Sequence, residues 1–60
     1  FSFRAIFDKY KTLTHKDLMS EYKILAQVKQ TASFHAIKYA YDNNIIVKNL
    51  LGDYEINPNL

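Results

Sequence analysis

The chain has 60 residues, 48% of them hydrophobic, a formal net charge of +2 and no cysteine. At that length it makes one domain near the lower limit for an unstapled core, and the missing cysteines exclude both disulfides and thiolate-bound zinc. The core must come from apolar side chains, among them four Phe and five Tyr, which argues against a disordered chain.

No apolar run approaches the roughly 18 residues of a membrane span, and the opening FSFRAIFDKY lacks the apolar centre of a signal peptide. A chain that begins at Phe rather than Met reads as a domain excised from a longer protein. The lack of cysteine fits a reducing, intracellular setting: bacterial cytoplasm, a phage-infected cell, or a nucleus.

In the first segment Phe3, Ile6, Phe7 and Tyr10 fall at i, i+3, i+4 and i+7, with Leu13 continuing the stripe. This predicts a first helix, capped by Ser2. THKD, residues 14–17, then fits a capping box, in which Thr14 accepts from the amide three residues on and Asp17 reaches back. The second helix presents Leu18, Met19, Tyr22 and Leu25, with Ala26 beside them. With no Gly or Pro between Ile24 and Gln30, it runs to Val28 or stops near Lys23.

A third helix is predicted over about 31–43, with Thr31 as N-cap. Phe34, Ile37 and Tyr41 share its apolar side, flanked by Ala40; Ala32, His35, Ala36, Tyr39 and Asn43 lie opposite. Asn43-Asn44 is the expected stop, because Asn tolerates the left-handed conformation. The period then changes. Ile45, Ile46 and Val47 are β-branched, and Tyr54 and Ile56 alternate with Asp53, Glu55 and Asn57. Between them Gly52 sits where a hairpin loop needs positive φ, and Pro58 ends the second strand. Two strands alone are marginal, so the hairpin packs on the helices. A mainly α chain with a small C-terminal β-hairpin, in the order helix, helix, helix, hairpin, is a winged helix-turn-helix.

Residues 31–60, TASFHAIKYAYDNNIIVKNLLGDYEINPNL, resemble the recognition helix and wing of replication-initiator proteins of plasmids and phages, through Ile37, Tyr41, Ile45, Ile46, Tyr54, Ile56, Asn57 and Pro58. The rhythm of FDKY is similar to the first helix of origin-recognition winged helices. These resemblances imply a double-stranded DNA partner, with the third helix in the major groove and Thr31, Ser33, His35, Lys38, Tyr39 and Asp42 facing it. On the same implication Ala32 and Ala36 allow close approach, and Lys16 and Lys48 anchor the DNA backbone.

Charge tempers that implication. Residues 1–30 hold six basic and three acidic side chains, a net +3, whereas residues 31–60 hold Lys38 and Lys48 against Asp42, Asp53 and Glu55, a net −1. DNA-binding domains draw much of their affinity from a denser basic patch. The alternative is therefore a protein-docking or dimerisation module that uses the Ala32, Ala36 and Tyr39 face, or a segment of a larger sheet with no role of its own. His15 and His35 lie 20 residues apart with neither Cys nor HExxH spacing, so no metal is expected. A single glycine cannot build phosphate-cradling loops, and there is no G-x-S-x-G. Neither catalysis, a cofactor nor a small-molecule substrate is expected.

Overall fold

A computed structural model describes residues 3–60. The predicted Ser2 cap lies outside the described residues. Three helices, α1 (Phe3–Phe7), α2 (His15–Ala26) and α3 (Gln30–Asp42), precede two strands, β1 (Ile46–Lys48) and β2 (Tyr54–Ile56). The strands pair antiparallel, with Ile46 opposite Ile56 and Lys48 opposite Tyr54. The mainly helical chain with a C-terminal hairpin is thus as expected.

The α1 helix is much shorter than its apolar stripe implied. Ile6 and Phe7 are buried, but the chain turns after Phe7, and Leu13 is extended rather than helical. The cause is tertiary: the Leu13 amide donates to the Tyr54 carbonyl at 3.0 Å, and the Tyr54 amide donates back at 2.7 Å. Tyr10, expected in the core, keeps 40% of its surface exposed. A hydrogen bond to Glu21, with the charge of that carboxylate, raises the Tyr10 phenol above its ordinary value.

The α2 helix begins at the predicted cap. Thr14 is extended (φ −65°, ψ 162°) and its Oγ1 accepts from the Asp17 amide at 3.1 Å, satisfying one of the free donors of the first turn. Thr14→Ala should cost about 1 kcal/mol of stability, measured as a shift in urea midpoint at constant m. At the other end Gln27 adopts the left-handed conformation (φ 55°), and the Val28 amide reaches back to the Lys23 carbonyl at 3.3 Å. A residue other than glycine closes this helix, between the two stops that the sequence left open. Leu18 is buried, and Met19 and Tyr22 pack against the core. Leu25 stays 43% exposed, outside the core predicted for it.

The α3 helix starts one residue earlier than expected, with Lys29 at the cap and no side-chain capping bond; Thr31 lies within the helix. Its stop is the Asn pair, as read. Asn44 is left-handed (φ 60°), its amide reaches the Tyr41 carbonyl, and the Ile45 amide reaches the Ala40 carbonyl at 2.8 Å, the bond pattern of a Schellman cap. The buried line of α3 is Ser33, Ile37 and Ala40, rotated from the predicted Phe34, Ile37, Tyr41 line by roughly 60° at ~100° per residue. Phe34 and Tyr41 are consequently 45% and 43% exposed.

Asn49 organises the hairpin loop. Its Oδ1 accepts from the Leu51 and Asp53 amides, and its Nδ2 donates to Glu55 Oε2 at 3.0 Å. Gly52 has φ +85°, the positive value expected of it. The core gathers Ile6, Phe7, Leu13, Leu18, Ile37, Ala40, Ile46 and Tyr54, one or more from every element, with α2 packed on α3 and the hairpin packed on α1 and α3.

Candidate nucleic-acid interface

With Ser33, Ile37 and Ala40 turned inward, helical geometry sends Thr31, His35, Lys38, Tyr39 and Asp42 outward, and all five are exposed. Ser33, expected among them, is instead fully buried. Its Oγ donates to the Gln30 carbonyl at 2.7 Å, so the hydroxyl is satisfied within its own helix and its burial costs little. Ser33 is a core residue with no access to a ligand. Ala32 is exposed and Ala36 half-buried beside the outward row.

Lys38 does not stand as an isolated cation. Its Nζ donates to Asp42 Oδ2 at 2.9 Å, one helical turn on. Both partners are more than half exposed, so the pair contributes only about 0.3–0.5 kcal/mol and opens at that small cost. Tyr39 is 65% exposed, with its ring free to meet a partner. Lys16 is exposed in the first turn of α2, beside His15.

Lys48 is directed by aromatic rings. Its Nζ lies 5.7 Å from the Tyr41 ring centre and 5.4 Å from that of Tyr54, both within cation–π range. The fold thereby brings Lys48 and Lys38 to one cleft of about 270 Å³ between α3, the start of α2 and the hairpin, lined also by His15, Phe34, Tyr41 and Tyr54. Thr31, His35 and Tyr39 belong to the outward row of α3 instead, so the predicted residues divide between two adjoining surfaces.

Sequence reasoning passed over His15, Phe34, Tyr41 and Tyr54 as site residues, assigning Phe34 and Tyr41 to the core, Tyr54 to the second strand, and weighing His15 only as a metal ligand. A usable signal was Ser33 and Ala40, two small side chains on one side of the helical wheel, where a helix can approach its neighbours most closely. No family model, curated protein or solved structure significantly matches the chain.

Proposed function

We propose that the chain is a winged helix-turn-helix domain that binds double-stranded DNA, with α2 and α3 as the helix pair, α3 as recognition helix and the β1–β2 hairpin as wing. The observation that carries this reading is the outward row of α3. A 13-residue helix held from behind by Ser33, Ile37 and Ala40 presents Thr31, His35, Lys38 and Tyr39 on one open face. Such a row suits the major groove, where Lys38 meets a guanine edge or a phosphate, and Thr31, His35 and Tyr39 bond phosphate or base edges. Lys16 is the backbone anchor on the α2 side, and Lys48 the one on the wing. The bridge at Leu13 supports the wing reading by joining the hairpin to the segment ahead of α2. The resemblance to replication initiators suggests the process: origin or operator recognition.

Binding should weaken linearly as log affinity against log salt when the domain is titrated with duplex DNA. A flat salt response would sink the reading, because neutralised phosphates must release counterions.

One observation favours a second reading, docking to a protein or a second copy. Tyr39 on α3 and Ile24 on α2 are each about two-thirds exposed, at 65% and 70%. A mass that rises with concentration in light scattering, and is lost on Tyr39→Ala, would select docking over DNA.

A further inference from the structure

The cleft beside α3 is lined by a run of aromatic rings. Four rings follow one another around it: Phe34 meets His15 edge-on at 6.3 Å, His15 meets Tyr54 at 5.8 Å, and Tyr54 meets Tyr41 edge-on at 5.9 Å. Phe34 and Tyr41 stand two turns apart on α3, about 10 Å along the axis, with Ile37 between them. Both keep nearly half of their surface open, although the core lies one helical face away. At the rim are two ammonium groups, Lys38 and Lys48, against one carboxylate, Asp42. At about 270 Å³ the cleft lies below the range of drug-sized ligands and suits a fragment.

We infer that this cleft binds a single nucleotide, with a planar base against Phe34 and Tyr41 and its phosphate on Lys48 and Lys38. Partly exposed rings offer stacking surface to any base, with the Lys48 ammonium over Tyr41 to be displaced onto the phosphate, and paired rings and cations are the means by which single-stranded nucleic acid is held. Lys48 already lies near the rings, so one residue borders both halves of the ligand. Asp42 works against the phosphate by repulsion and by occupying the Lys38 ammonium. The chemistry is that of a base joined to a phosphate, whether as a free mononucleotide or as an unpaired nucleotide in a strand. The cleft shares Lys38 and Lys48 with the proposed duplex contact, but not Thr31, His35 and Tyr39, which lie on the outward row of α3 and not in the cleft.

The test is an amide-shift titration of the 60-residue chain with adenosine monophosphate, adenosine, inorganic phosphate, a single-stranded oligonucleotide and a duplex. Adenosine monophosphate should shift Phe34, Lys38, Tyr41 and Lys48 saturably and bind at least tenfold more tightly than adenosine or phosphate. A single strand that binds more tightly through the same amides identifies an unpaired nucleotide as the natural ligand; equal affinity identifies the free one. Phe34→Leu and Lys48→Gln should each weaken adenosine monophosphate roughly tenfold. Asp42→Asn should tighten it, a gain that misfolding cannot produce. Absence of a saturable shift at the cleft with either ligand, or Phe34→Leu binding within twofold of the parent, overturns the inference. Duplex binding without a nucleotide response removes this proposal alone, and nucleotide binding without a duplex response removes only the winged-helix reading.

Discussion

Ile37→Ala should leave the chain largely unfolded in low urea at room temperature. Ile37 is 1% exposed at the centre of α3's inner face, in one cluster with Ile6, Leu18 and Ile46. Removing its outer carbons costs about 2–5 kcal/mol in transfer and cavity terms. A 60-residue domain holds roughly 3–9 kcal/mol in total, at about 0.05–0.15 kcal/mol per residue, so at mid-range values, about 3.5 of about 6 kcal/mol, this one change takes more than half of its stability. Helical circular dichroism through a urea titration reads the loss directly. Leu50→Ala at the fully exposed hairpin tip is the comparison and should stay within about 0.5 kcal/mol of the parent. An Ile37→Ala midpoint as close to the parent as that of Leu50→Ala would refute the inward orientation of α3.

Lys38→Glu should lower duplex DNA affinity tenfold or more and flatten the salt dependence by about one unit of slope. The change removes a cation from the outward row and places a second carboxylate one turn from Asp42, so repulsion adds to the lost contact. Lys9→Glu makes the same charge change in the exposed turn after α1 and should leave both affinity and slope nearly unchanged. Equal losses from the two variants would mean that net charge alone, and not α3, sets the affinity.

The features legible in the sequence were those whose causes are local. Thr14 caps α2 because its hydroxyl needs only an amide three residues away, and Asn44 ends α3 because its own backbone tolerates positive φ. Gly52 sits in the loop for the same reason. The two largest failures have causes distant in the chain. Leu13 fits a helical stripe, yet its backbone partner is Tyr54, and nothing near position 13 announces that. The rotation of α3 follows from what it packs against: hydrophobicity favoured Phe34 and Tyr41, while close packing favoured the small Ser33 and Ala40. Of the candidate site, the exposed row from Thr31 to Asp42 was readable from helical spacing, Ser33 excepted. The cleft was not, because Lys48 and Tyr54 reach His15 only after the hairpin folds back on the helices.

The Leu13–Tyr54 rung also bears on how the chain assembles. Antiparallel strands alternate the direction of their backbone groups, and at Tyr54 both the amide and the carbonyl point away from β1, toward Leu13. Without that partner a buried residue would hold two unpaired polar groups along an open strand edge, a template for pairing with another molecule. The partner arrives across a loop of about 40 residues, whereas the α2–α3 pair closes through a short turn. Loop closure therefore favours the helix pair forming before the rung, and until the rung forms the Tyr54 edge of the hairpin stays open to pairing.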